Sequence, residues 1–337
     1  MKMQNTLRAY DFSLQSEEDI FGRLLAQLAD KAHRLMLGQE FTPHLIAREM
    51  VLQKIEELHD APPRFLDMCC GSGVFLIEAI RTVRSKYNNN DIIFSCVTGF
   101  DIDPLAVMLA KVNWIIAMRD LFSQHAGSIT VPIYHADSLF IATPVSHQVE
   151  ENSEAFYTLN IYDKRLKLPA FILTPDNRKL FDSFMAKVYG LAMARAKATT
   201  YSDEINATRL MQSISMDCDS NLDDEKYSIL ENCSIELVLE LELLQREGRN
   251  GIWHFIICNC YRPGLTRHQF NCIISNPPWM AMSKLEDNPY RAALRKLADQ
   301  YNIRSIPSTY GIGYDFFAIS SRSIFRGWSY LERYHAC

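Results

Sequence analysis

Arg64-Phe65-Leu66-Asp67-Met68-Cys69-Cys70-Gly71-Ser72-Gly73, running into Val74 to Val83, is the stretch that decides the fold. Arg64 to Asp67 reads as a short strand, Cys70 to Gly73 as a tight turn, and Val74 to Val83 as a helix. Glycines in such a turn let the backbone approach a ligand, and the helix start adds free N–H groups and the positive end of a dipole. The spacing differs from Gly-x-Gly-x-x-Gly, so it is not the usual dinucleotide fingerprint.

Outward from that turn the pattern repeats. Ile92 to Phe100 is a continuous apolar run, expected to form a strand of a buried parallel sheet. Pro104 to near Leu121 reads as a helix, and Ile129 to His135 as a third strand. The order β-α-β-α-β predicts an α/β fold with a doubly wound, mostly parallel, Rossmann-like sheet. Upstream, Ser16-Glu17-Glu18-Asp19 resembles a capping box, and Phe21, Leu24, Leu25, Leu28, Ala32 and Leu35 follow at helical spacing up to Gly38. Phe41-Thr42-Pro43 opens a second helix running to near His59, with Pro43 suited to the first turn. After Asp137 the alternation stops. Phe181 to Ala198 and Asp223 to Arg246 read as helices. Asp217 to Glu247 holds ten acids against two bases, which reads as a solvated helix face. A strand returns at Phe270 to Ser275 and ends in Asn276-Pro277-Pro278-Trp279, with a polar helix over Leu285 to Tyr301.

The chain has 337 residues, 48% hydrophobic and 22% charged, the balance of a folded chain able to bury a sizeable core. Lys and Arg number 35 against 40 Asp and Glu, a net charge of −5. That excludes binding nucleic acid by bulk positive charge, though not a local basic groove. No apolar run approaches the ~18 residues of a membrane helix. The N-terminal sequence is polar and carries no secretory signal pattern. The nine cysteines, several in apolar runs, suggest reduced thiols and a cytoplasmic location. His254, Cys258, Cys260, His268 and Cys272 could be read as a zinc site, but no Cys-x-x-Cys pair supports it, and buried structural cysteines are the preferred reading.

Two places carry chemistry. An acid at the end of the second strand, Asp101 in Gly99-Phe100-Asp101, can hydrogen-bond ribose hydroxyls. With the glycine turn, it implies an adenosine-containing cofactor. In Asn276-Pro277-Pro278-Trp279, two prolines fix the backbone. A carboxamide oxygen beside a fixed carbonyl makes a two-acceptor clamp for an –NH2 group, and the aromatic can stack on a planar ring. Pro-Pro after a strand is often no more than a rigid exit; the nucleotide pattern upstream favours the clamp.

In these residues the chain resembles the N6-adenine DNA methyltransferases, in particular the restriction–modification group in which Phe-Thr-Pro precedes the glycine motif and Asn-Pro-Pro-aromatic follows. The signals stand in the family's order: Phe41-Thr42-Pro43, Asp67 to Phe75, Gly99-Phe100-Asp101-Ile102-Asp103-Pro104, His135-Ala136-Asp137-Ser138-Leu139-Phe140 and Asn276 to Trp279. The resemblance implies a methyltransferase sheet and S-adenosyl-L-methionine as cofactor. Thr42 would close over its methionine end, and Asp67, Gly71 and Gly73 would line the methionine and adenosine path. Asp101 would take the ribose hydroxyls, Ile102 would pack on the cofactor adenine, and Asp137 would accept from that adenine's amine. Asn276 and the Pro277 carbonyl would accept from the N6 amine of a target adenine flipped out of double-stranded DNA, with Pro278 holding the turn and Trp279 stacking on the base. No metal is implied.

Four segments follow: a helical N-terminal part with Phe-Thr-Pro (1–60), the cofactor half of the core (61–140), a mostly helical insertion (141–268) and a catalytic segment (269–337). Past Tyr314-Asp315-Phe316-Phe317-Ala318 the tail departs from the family's continuation into further strands and a target-recognition domain. The expectation is a truncated member, served by a specificity or C-terminal partner subunit. Two alternatives stay open: an inactive fragment that binds cofactor or a partner, and a methyltransferase for protein glutamine or RNA. The Phe-Thr-Pro motif argues against the latter.

Overall fold

The computed structural model describes residues 42–59, 61–125, 129–139, 151–152, 156–161, 164–198, 205–216, 222–248, 253–266, 269–278 and 289–300. The helix expected behind Ser16 lies outside them. The chain divides into two compact units, one within residues 1–138, 268–286 and 296–337, the other within 139–267 and 287–295.

The first unit is built on a four-stranded sheet in the order β3-β2-β1-β7, with β1 (Phe65–Asp67), β2 (Val97–Asp101), β3 (Ile133–His135) and β7 (Cys272–Ile273) all paired in parallel. Its helices are α1 (His44–Glu57), α2 (Val74–Lys86), the short α3 (Asn90–Ser95) and α4 (Pro104–Met118). The pleat sorts side chains by alternation. Phe65, Val97, Ile133, Cys272 and Ile274 join one core with Ala47 and Val51 of α1, Leu76, Ile80 and Val83 of α2, and Trp114 of α4. Their neighbours Leu66, Phe100, Tyr134 and Ile273 fall on the opposite face, with Met68, Ala136 and Phe270.

The strand order positions the site. The chain steps outward from β1 to β2 to β3, then returns to place β7 on the other side of β1. The crevice outside the carboxyl ends of β1 and β7 is therefore a topological switch point, where open α/β sheets bind ligands. The register is Phe65 opposite Cys272 and Leu66 opposite Ile273, and the Ile274 N–H donates to the Leu66 carbonyl at 2.9 Å. Asp67 and Asn276 thus leave neighbouring strands at the same end.

Two sequence expectations need correction. The run Ile92 to Phe100 is not one strand: α3 takes its first part and β2 begins only at Val97. The cause is local. The Asn89 side chain caps α3, accepting from the N–H groups of Asp91 at 2.9 Å and Ile92 at 3.3 Å, and such a cap is worth about 1 kcal/mol. The third strand is also shorter than Ile129 to His135, since pairing starts at Ile133.

The second unit holds the antiparallel sheet β4 (Glu151–Asn152), β5 (Phe156–Ile161) and β6 (Lys164–Pro169), and the helices α5 (Arg178–Lys197), α6 (Ala207–Ser215), α7 (Asp224–Arg246), α8 (Trp253–Cys260) and α9 (Arg262–Leu265). The sequence reading anticipated α5 and α7 and a mostly helical segment, but not α6, α8, α9 or this sheet. Phe181, Phe184, Leu230, Leu237, Leu241 and Tyr261 are central to its core. Asp224, Glu225 and Glu236 of α7 face solvent as expected, but Glu231 and Glu240 are half-buried and Glu242 is buried and bonds the guanidinium groups of Arg195 at 2.6 Å and Arg246 at 2.9 Å. A last helix, α10, spans Pro289–Gln300. No helix among the described residues is long and apolar enough to cross a membrane.

Candidate functional site

The glycine turn is held in one shape by its backbone. Gly71 has φ +53° and Gly73 has φ +97°, conformations that side-chain-bearing residues rarely adopt. Gly73 caps α2 without a side chain, and its N–H donates to the Cys70 carbonyl at 2.8 Å. A Cβ at Gly73 would touch Ala110 of α4 at 3.4 Å, whereas one at Gly71 would meet nothing within 4 Å among the described residues. Gly73 therefore serves helix packing, while no described residue crowds Gly71. Gly99 does a similar packing service on β2: a Cβ there would lie 2.7 Å from Leu76 Cδ1 and 3.1 Å from Cys70 Sγ.

Acids end β1 and β2, and a third follows β3. Asp67 is fully buried at the end of β1. Its Oδ1 accepts from the Ser275 hydroxyl at 2.8 Å and from the Cys69 N–H at 3.2 Å, while its buried Oδ2 has no hydrogen-bond partner among the described residues. Burial pushes its pKa up to about 7; the Ser275 and Cys69 bonds work against that rise, and nearby Asp101 adds to it. Asp101 ends β2 and is fixed by the turn: its Oδ2 accepts from the Gly71 N–H at 2.8 Å and its Oδ1 from the Asp103 N–H at 2.8 Å. Burial raises its pKa too. A carboxylate oxygen has two lone pairs, so these bonds orient Asp101 and still leave each oxygen able to accept another hydrogen. Asp137 follows β3 and is buried.

Ile102 is 57% exposed at the mouth of this crevice, although it is large and apolar. Its carbonyl meets His135 Nε2 at 2.9 Å, so the outward side chain sits on a braced backbone. The thiols of Cys69 and Cys70 lie within the same turn. Burial, then the charges of Asp101 and Asp67, push both well above the ordinary thiol range, which removes them as thiolate nucleophiles.

The opposite wall comes from β7. Asn276 Nδ2 donates to Thr42 Oγ1 at 3.2 Å, joining the segment before α1 to the segment after β7. With the amide nitrogen directed at Thr42, the carboxamide can present its oxygen to a ligand as an acceptor. Pro277 is buried and Pro278 half-buried; Trp279 lies outside the described residues. Of the residues anticipated from sequence, Thr42, Asp67 and Asn276 are linked in one network through Ser275, and Gly71 and Asp101 are bonded directly. Gly73, Ile102 and Asp137 flank them at the same sheet end.

Sequence reasoning missed Ser275, whose hydroxyl donates to Asp67 and accepts from the Cys69 N–H at 3.1 Å. It also missed His44 and Glu78. The Glu78 carboxylate is buried in α2 and meets His44 Nδ1 at 2.6 Å, two residues past Thr42. An acid in the buried stripe of α2 was the available signal. Among the described residues, no group of three or more His, Cys, Asp or Glu is placed to hold a metal ion, and the described cysteines are free thiols. Of the residues that could be read as a zinc site, Cys272 belongs to the first unit and His254, Cys258 and Cys260 to the second, and His268 lies outside the described residues.

A parallel four-stranded sheet with a glycine turn after β1 and acids ending β1 and β2 is a Rossmann-like α/β architecture, the class to which methyltransferase folds belong. The chain belongs to the Eco57I restriction-modification methylase family, whose model matches residues 95–318. The N-6 DNA methylase model matches residues 16–152, so the two together span both walls of the site. Both are DNA methylase families, and the chain is accordingly a restriction–modification type DNA methyltransferase in its family. No curated protein matches the sequence.

Proposed function

We propose that this chain transfers the methyl group of S-adenosylmethionine to the N6 amine of an adenine flipped out of double-stranded DNA, in a restriction–modification or related phage-defence system. The observation that carries the reading is the network Thr42–Asn276 and Ser275–Asp67, which ties the Asn-Pro-Pro segment to the acid of the glycine turn.

The residues present suit that cofactor. Asp67 keeps a buried oxygen with no partner among the described residues, a place for the cofactor's cationic methionine end. Asp101 is pre-oriented to accept from ribose hydroxyls. The exposed Ile102 offers an apolar surface for a purine, and Asp137 an acceptor for its amine. When bound, S-adenosylmethionine supplies an electrophilic methyl on a sulfonium.

The rest is done by the chain's own groups. The N6 lone pair is delocalised into the purine ring, so the amine is a weak nucleophile. Asn276 Oδ1 and the Pro277 carbonyl accept its two hydrogens, favour the pyramidal amine and return electron density to nitrogen. Thr42 and the prolines hold those acceptors still, so little reorganisation is needed in the transition state. The N6 proton becomes acidic once the methyl has moved, and no strong base is required. Double-stranded DNA would be held with the help of Trp279 stacking and a specificity subunit.

Tritiated cofactor offered together with unmethylated DNA, RNA and a protein-glutamine peptide tests the substrate class. Label confined to DNA, and lost in Asn276→Ala, supports the reading; label on RNA or peptide replaces it.

A further inference from the structure

We propose that Ser275 is a positioning residue that sets how strongly Asp67 holds the cofactor, because one hydroxyl joins Asp67, the Cys69 amide and, through the next peptide bond, Asn276. The inference rests on the cofactor reading above. The geometry is specific. Ser275 Oγ donates to Asp67 Oδ1 at 2.8 Å and accepts from the Cys69 N–H at 3.1 Å, and Cys69 N–H also reaches Asp67 Oδ1 at 3.2 Å. Two residues 208 positions apart thus close a three-membered ring of bonds across the β1–β7 switch point.

The surroundings of Asp67 make that ring matter. Asp101 from β2 raises the cost of a negative charge, and Asp137 after β3 adds to the field felt by Cys69. The thiols of Cys69 and Cys70 lie in the same turn, and the charge of His135 on β3 acts on Asp101. The Ser275 hydroxyl is the largest influence favouring the ionised form of Asp67. Without it the carboxyl keeps its proton to higher pH and becomes a poorer partner for a cation. The same hydroxyl fixes where the chain leaves β7, so the acid on the cofactor side and the acceptor on the substrate side are set by one bond system.

The test uses the full chain with Ser275→Ala and Ser275→Thr. Carbon-13 NMR of the aspartate carboxyls, without ligand, follows Asp67. Its titration midpoint is expected to rise in Ser275→Ala and to return in Ser275→Thr, which keeps the hydroxyl. A rise of about one unit takes the ionised fraction at pH 7 from about one half to about one tenth, so calorimetric affinity for S-adenosylmethionine falls about fivefold. In an Asp67→Asn background, Ser275→Ala is expected to add nothing to the loss of affinity. A thermal melt of each variant shows whether it is folded, and Ser275→Thr keeps the test open if Ser275→Ala is not. An unchanged Asp67 midpoint in folded Ser275→Ala, or an equal affinity loss in the Asp67→Asn background, overturns the proposal. A midpoint raised in Ser275→Ala, together with a wild type that fails to bind S-adenosylmethionine, would sustain the Ser275–Asp67 link and overturn the cofactor reading instead.

Discussion

Replacing Thr42 with valine removes one oxygen and keeps the side-chain volume. Among the described residues that oxygen accepts from Asn276 Nδ2 at 3.2 Å. A neutral side-chain bond of this kind is worth about 1 kcal/mol, which corresponds to about a fivefold loss of methyl transfer. Asn276→Ala removes the acceptor itself, and loss of one preorganised group facing developing charge costs ~10²–10³ in rate. If Thr42 acts by steadying Asn276, the two effects cannot add. The double variant should be as slow as Asn276→Ala alone, a coupling of about 1 kcal/mol in a double-mutant cycle. The assay is tritium transfer from S-adenosylmethionine to DNA under single-turnover conditions, which separates the chemical step from product release. Additive losses, or a Thr42→Val variant as slow as Asn276→Ala, would refute the reasoning, because Thr42 would then act on something other than the Asn276 carboxamide.

Three further outcomes follow from the structure. Ile102→Ala should leave the melting temperature almost unchanged, because the side chain is 57% exposed, yet weaken cofactor binding; calorimetry against a thermal melt separates the two. Gly99→Ala should cost about 1–3 kcal/mol by overpacking Leu76 and Cys70, read as a lowered urea midpoint, and an unchanged midpoint would contradict the packing described. Stability should also depend on pH with a definite sign. The pKa of Asp67 is about 7 in the folded chain. Against about 3.9 when unfolded, the native state holds the proton longer, and stability falls by up to ~4 kcal/mol as pH rises from about 4 to about 7. Asp101 and Glu78, also raised by burial, act in the same direction. Urea titrations at several pH values should show a shallower fall in Asp67→Asn than in the wild type.

The parts of this fold that sequence reveals are those governed by local backbone demands. Gly71 and Gly73 announce their turn because positive φ selects glycine, and Asp101 marks the end of β2 because the Gly71 and Asp103 amides need an acceptor there. Apolar content alone misled at Ile92 to Phe100, where Asn89 capped a helix inside what read as a strand. The hairpin of β5 and β6 went unread, since its pairing of Phe156 with Pro169 has no alternating pattern strong enough to stand out. The site itself depends on long-range closure. Ser275 meets Asp67 only because β7 lands beside β1, and no spacing along the chain encodes that landing. The order of the motifs implied that Thr42 and Asn276 serve one site; their direct bond is a product of the folded chain.

The most direct test of the central claim is the identity of the methylated base. Unmethylated bacterial DNA treated with the full chain and S-adenosylmethionine is digested to nucleosides and resolved by mass spectrometry, with Asn276→Ala alongside. The account predicts N6-methyldeoxyadenosine from the wild type and a loss of at least about a hundredfold in the variant. Methylcytosine as the product, or N6-methyldeoxyadenosine formed equally well by Asn276→Ala, would contradict it.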